Sequence, residues 1–260
     1  MRAVAWGLVM SLGMQVDAQA ARAPVLLVVT PGLDADAFDA WAHRLHKARH
    51  PVTPLSLPCE AASGAQLVER IVQAGAELPE GYVVAAHGLG ASLVLMAAPE
   101  LEAERLVLLG PVLDVQAVGV LDWLADLELS ETVDLAGELS WNGRAVAPLL
   151  LGADPPPLTC ISAGLAAEVQ GWIRAGAVPL PLETVEMPTW IGVSLGDDVA
   201  SVEWTVPGSR ALPDRSLVRL GYTRFDPQDY EHGELLTRPV PLRVATRAVR
   251  APWGERRITR

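Results

Sequence analysis

Side chains able to do chemistry are sparse in this chain. Its five histidines are His43, His46, His50, His87 and His232. His43 and His46 sit at i, i+3 on a predicted helix and could share a face toward a metal ion. No third ligand is evident nearby, so a solvated helix face is expected and no metal. Cys59 and Cys160 are the only thiols, which excludes a disulfide-dense scaffold and a multi-cysteine zinc site. In an oxidising compartment they could pair and close a long loop; two separate buried thiols are the alternative. The adjacent Asp197 and Asp198 read, on their own, as a turn or helix cap. His232 reads as a hydrogen-bonded loop histidine. One segment stands out: Tyr82 to His87 is an apolar run, followed at once by Gly88-Leu89-Gly90 and a helical stretch to Ala98. That is a strand, a sharp turn and a helix, whose N-terminus favours anions.

The elements that must position these residues alternate regularly. Strands are predicted at Val25–Thr30, Val52–Leu57, Tyr82–His87, Arg105–Gly110, Thr189–Ser194 and Ser216–Leu220. Helices are predicted at Asp34–Lys47 (Phe38, Trp41 and Leu45 inward), Gly64–Leu78 (Leu67, Ile71 and Val72 inward), Gly164–Gly176 and Val240–Val249. This rhythm implies an α/β fold, with a mostly parallel central sheet and helices on both faces. The stretch from about 112 to 186 breaks it, with Pro155-Pro156-Pro157 and a possible hairpin turn at Asn142-Gly143. We read it as an insertion, a cap over the C-terminal edge of the sheet. The arginines at 243, 247, 250, 256, 257 and 260 read as a solvated helix face and a frayed end.

Composition narrows the function classes. The chain has 260 residues, half of them hydrophobic, enough for a full core. A net charge of −11 argues against nucleic acid as a partner. Arg2, the apolar run Ala3–Met14 and Ala18-Gln19-Ala20 follow the order of a cleaved signal peptide over residues 1–20. The expected mature domain is then 21–260, exported to a periplasmic or extracellular space. A buried first element of the fold is the alternative. No cysteine sits at the cleavage point, so a lipid anchor is not indicated. No other stretch reads as a transmembrane helix.

The 82–92 segment resembles the nucleophile elbow of the α/β-hydrolase family, whose common form is G-H-S-x-G-G. Ala86, His87, Gly88, Leu89, Gly90 and Ala91 take those six places, so Gly88 stands where the family has its serine. The resemblance continues in order along the chain. Thr30-Pro31-Gly32-Leu33 lies at the loop after the first long central strand, where the family's usual histidine is replaced. Gly196-Asp197-Asp198 lies at the acid, and Tyr230-Glu231-His232-Gly233 at the histidine. The resemblance implies that His232 pairs with Asp197, or less favourably with Asp198. It implies that the backbone N–H groups of Leu33 and Leu89 form the oxyanion hole, and that His87 is a packing position. Ser92 falls one helical turn beyond the elbow, so it is not expected to act as nucleophile.

Gly88 keeps the turn but offers no nucleophilic atom, which excludes a serine ester at this position. Two functions are therefore expected. One is a catalytically impaired protein that binds a small molecule or a protein partner at the former active-site cleft, without a cofactor. The alternative is a lipase- or esterase-type hydrolase in which His232, with Asp197, activates water directly.

Overall fold

The computed structural model describes residues 22–31, 33, 35–57, 63–113, 163–197, 199–223 and 226–250. The apolar runs become strands β1 (Val25–Val28), β2 (Val52–Leu55), β3 (Val83–His87), β4 (Arg105–Leu109), β5 (Thr189–Ser194) and β6 (Arg215–Leu220). Every residue of β1, β3, β4 and β5 is buried. Continuous apolar strands of this kind need cover on both faces, the signature of a parallel sheet. The sheet is parallel throughout, in the order β2-β1-β3-β4-β5-β6.

Helices α1 (Asp39–Lys47), α2 (Gly64–Ala76), α3 (Gly88–Ala97), α4 (Ala163–Ala175), α5 (Val202–Gly208), α6 (Glu234–Thr237) and α7 (Pro239–Arg250) complete the described chain. Phe38, Trp41 and Leu45 face the core from α1, and Leu67 and Ile71 from α2; Val72 is half-buried against it. The predicted start of α1 is instead a 3₁₀ turn, Ala35–Phe38. On α7, Leu242, Ala245 and Val249 are buried while Arg243, Arg247 and Arg250 are exposed, the expected basic face. Helix α1 packs with α7, and α2 with α3, which layers helices over both sides of the sheet. Helix α3 differs from the others: nearly all of it is buried, so it is apolar on every face.

Part of the 112–186 stretch belongs to the core. Leu165, Val169 and Trp172 of α4, and Val185 beyond it, join the one buried cluster. Glu168 of α4 accepts the Gly64 N–H at the start of α2 over 2.5 Å. The hairpin turn, the proline run, both cysteines, the signal segment, Gly32, Asp34 and Asp198 lie outside the described residues.

The chain leaves β1 toward β2 on one side, then returns to place β3 on the other. The crevice beyond the carboxyl ends of β1 and β3 is therefore the topological switch point, where open α/β sheets hold ligands. At the outer edge, Val29 donates to the Leu55 carbonyl, so Leu55 faces β1 and the adjacent Pro54 peptide faces outward. A missing N–H costs the sheet nothing there.

Candidate functional site

Strand β3 ends at His87 in extended conformation (φ −134°, ψ 150°). The chain then turns at Gly88 with φ +55° and runs directly into α3. A side-chain-bearing residue pays about 1–3 kcal/mol for such a conformation; glycine adopts it freely. Thr30, leaving β1, braces the turn: its Oγ1 donates to the His87 carbonyl over 2.7 Å. The first turn of α3 lies so close that a Cβ on Gly90 would sit 3.2 Å from the Thr30 Cα. Ser92 is fully buried, and its hydroxyl donates to the Val112 carbonyl at 2.7 Å. It ties α3 to the chain leaving β4, a packing role.

Beyond β5, the Asp197 carboxylate does two jobs. Its Oδ1 accepts the N–H groups of Val199 (3.0 Å) and Ala200 (2.7 Å), which caps the turn. Both oxygens also meet His232 Nδ1, at 2.9 and 3.0 Å. The two side chains are completely buried. A carboxylate only accepts, so in the neutral ring Nδ1 carries the proton and Nε2 keeps its lone pair. His87 packs against this pair, with ring centroids 4.3 Å apart and planes tilted by 43°. Its Nε2 lies 2.9 Å from the His232 carbonyl and must donate to it. Burial, and then the neighbouring His232, hold the His87 pKa well below the ordinary histidine value. His87 is thus a neutral brace, which orients His232 from behind the elbow.

The strand ends at β3, β4 and β5 converge here. The predicted fourth strand stops one residue early, because Gly110 turns with φ +49°. A Cβ on Gly110 would lie 2.7 Å from Asp197 Oδ2 and 3.2 Å from His232 Cε1. The two arms of the oxyanion expectation differ. Leu33 donates its N–H to the Thr30 carbonyl at 3.1 Å, closing a turn. Leu89 lies in the first turn of α3, where N–H groups have no intrahelical acceptor.

No protein-family model matches the chain, and no curated protein matches its sequence. Solved structures do. A hydrolase from Oleispira antarctica matches with a TM-score of 0.64 at 15% identity, over 89% of this chain and 92% of its own. The Paleococcus ferrophilus monoacylglycerol lipase matches with a TM-score of 0.59 at 18% identity, over 88% and 94%. A thermophilic esterase from Thermogutta terrifontis matches with a TM-score of 0.58 at 16% identity, over 88% of each chain. The fold is α/β-hydrolase-like. At these identities the likeness concerns the fold alone, and activity must be argued from the site.

Within this hydrolase-like frame, several residues have roles that their local sequence does not announce. Gly110 is one. Ser194, at the end of β5, is another: it donates to Asp229 Oδ1 (3.2 Å) and accepts the Tyr230 N–H (3.0 Å). The Asp229 carboxylate also lies against Gly196, whose Cβ, if present, would sit 2.7 Å from it. Ser194 and Asp229 thereby clamp the acid loop to the histidine loop. Tyr230 adds a bond to Asp226 (2.7 Å); burial and this bond push its phenol pKa up to about 12. His43 and His46 lie on the exposed face of α1. Among the described residues, no group of three or more His, Cys, Asp or Glu could hold a metal ion, and no helix is long and apolar enough to cross a membrane.

Proposed function

We propose that this chain is a catalytically impaired α/β-hydrolase-fold protein that binds a small molecule or a partner at its former active-site cleft. The observation that carries the reading is Gly88, at φ +55° on the end of β3, beside an intact His232–Asp197 pair. The turn that presents a nucleophile is kept and the nucleophile is missing. Gly88, Asp197 and His232 are the positions of the old machinery, and the Leu89 backbone its oxyanion side; the Leu33 N–H is committed to the Thr30 carbonyl. Neither a cofactor nor a metal enters this reading.

One observation favours a second reading. His232 Nε2 is buried and has no hydrogen-bond partner among the described residues, and Asp197 fixes the tautomer that leaves a lone pair on it. Such a nitrogen could activate water, making the protein a weak hydrolase of esters. Removal of a triad serine elsewhere leaves roughly 10³–10⁴-fold acceleration over water. The test is the unaltered protein with a serine-directed fluorophosphonate and with p-nitrophenyl acetate. No covalent adduct and turnover at the buffer rate are expected. Turnover above buffer that His232→Gln abolishes would establish the second reading instead.

The proposal includes export. Residues 1–20 act as a cleaved signal peptide, so the intact mass of the exported protein is expected to correspond to a chain starting near Ala21. An exported species retaining Met1-Arg2 would assign the apolar run to the fold or to an anchor.

A further inference from the structure

The geometry points to a ligand class: we propose that the site takes the hydroxyl group of a neutral alcohol, lodged between His232 Nε2 and the first turn of α3. The proposal rests on the binding reading above and names what is bound.

Two buried imidazoles in contact each use one nitrogen as a donor. His232 Nδ1–H goes to Asp197, and His87 Nε2–H goes to the His232 carbonyl. The other nitrogens, His232 Nε2 and His87 Nδ1, are buried and unpartnered among the described residues. An imidazole with one N–H keeps a lone pair on its second nitrogen, so each ring holds a buried acceptor that is costly to leave unmet, and that of His232 is the one beside the acid. Directly after His87, α3 begins, with Gly88, Leu89 and Gly90 in its first turn. Those N–H groups have no intrahelical partner, and the helix dipole adds positive potential there. The occupant must therefore donate to His232 Nε2 and accept from a backbone N–H.

A hydroxyl does both with one oxygen. A carboxylate can only accept, so it would set its lone pairs against that of His232. An ammonium can only donate, and it would meet the positive end of α3. Asp197 exerts little call for a cation, because its oxygens already hold Val199, Ala200 and His232 N–H groups. A Cβ on Gly110 would lie 3.0 Å from Leu235 Cδ1 and 3.2 Å from His232 Cε1, so Leu235, buried hydrocarbon, stands next to the ring and suits the carbon that carries the hydroxyl. In a serine-bearing elbow the chain supplies this hydroxyl itself; with Gly88 it has to come from the ligand.

The test is nitrogen NMR of the full chain with ¹⁵N-labelled histidine, the His232 resonances being assigned by their loss in His232→Gln. Three probes of equal chain length are titrated at neutral pH: 1-butanol, butyrate and n-butylammonium. The alcohol is expected to shift the His232 Nε2 resonance saturably. Its affinity should exceed that of either ion by at least about tenfold, the ratio worth about 1.4 kcal/mol. Gly88→Ser should erase the alcohol response, since its own hydroxyl meets Nε2. Equal or tighter binding of butyrate or butylammonium overturns the proposal. So does a wild-type resonance that no alcohol moves, which would leave water as its partner. These measurements use the unaltered protein, so they decide the matter even if Gly88→Ser does not fold. The two readings fail separately. Fluorophosphonate labelling of the wild type sinks the binding reading, whatever alcohols do. An unlabelled wild type with a silent His232 resonance sinks only the ligand class.

Discussion

Gly88→Ser is expected to convert a protein inert to fluorophosphonates into one that is labelled at position 88 and turns over short-chain esters. Three features set this expectation. The backbone at Gly88 is already in the left-handed conformation (φ +55°) from which α3 starts. His87, the residue just before it, is in ring contact with His232. His232 is held by Asp197 at 2.9 Å with Nε2 free to take a proton. A serine–histidine–acid unit in an enzyme is worth up to about 10⁶-fold, and its members act together. Restoring the missing member should therefore raise ester turnover at least about 10²-fold over the wild type. His232→Gln in the same background should return it to baseline. The strained position should cost about 1–3 kcal/mol of stability, readable as a lower midpoint in urea. A folded but unlabelled variant would mean that Nε2 or the α3 amides no longer face the elbow. Labelling of the wild type at Ser92 would overturn the assignment of the elbow; the commitment of that hydroxyl to the Val112 carbonyl argues against it.

The second large effect is on stability. Gly110→Ala is expected to destabilise the fold by about 2–5 kcal/mol, combining the left-handed backbone penalty with overpacking. Its Cβ would arrive 2.7 Å from Asp197 Oδ2, 3.0 Å from Leu235 Cδ1 and 3.2 Å from His232 Cε1. The carboxylate cannot simply retreat, because the Val199 and Ala200 N–H groups hold it. Gly171→Ala provides the contrast. Gly171 is exposed in α4, and a Cβ there would meet nothing within 4 Å. That substitution should stabilise by about 0.5–1 kcal/mol through helix propensity and a less flexible unfolded chain. Chemical unfolding of both variants checks the pair. Equal stabilities would mean that β4 and the Asp197–His232 pair do not converge as described.

Much of this fold was legible because buried parallel strands announce themselves. Runs such as Val25–Val28 and Arg105–Leu109 are short and almost wholly apolar, and the turn residues after them mark their ends. The resemblance of the elbow, acid and histidine segments to the α/β-hydrolase family implied that His232 pairs with Asp197 or, less favourably, Asp198, and the contact is with Asp197. Other features left no local trace. Helix α6 has four residues and α5 seven, with Pro207 inside it; neither is long enough to show a helical period. Ser194 looked like one polar residue at a strand end. Its partners, Asp229 and Tyr230, lie 35 and 36 positions away, a contact only the folded topology creates. Gly110 read as part of a strand, because sequence shows that a residue is glycine but not that its φ is positive. The Leu33 amide likewise carries no sequence signal that distinguishes one turned inward to Thr30 from one left open.

Pro54 in β2 has a bearing on how the molecule behaves among copies of itself. Among the described residues β2 and β6 form the lateral margins of the sheet, and an open margin is a template on which another chain can add a strand. Along β2 the outward-facing peptide at Pro54 has no hydrogen to give, so an incoming strand finds a gap in the middle of a four-residue ladder. Along β6, Arg219 stands exposed on the opposite margin, and an approaching copy would carry the same charge there. With a net charge of −11 repelling copies at longer range, the sheet is guarded against fibre-like growth at both ends. Pro54 and Arg219 thereby deny a second copy an uninterrupted ladder to extend.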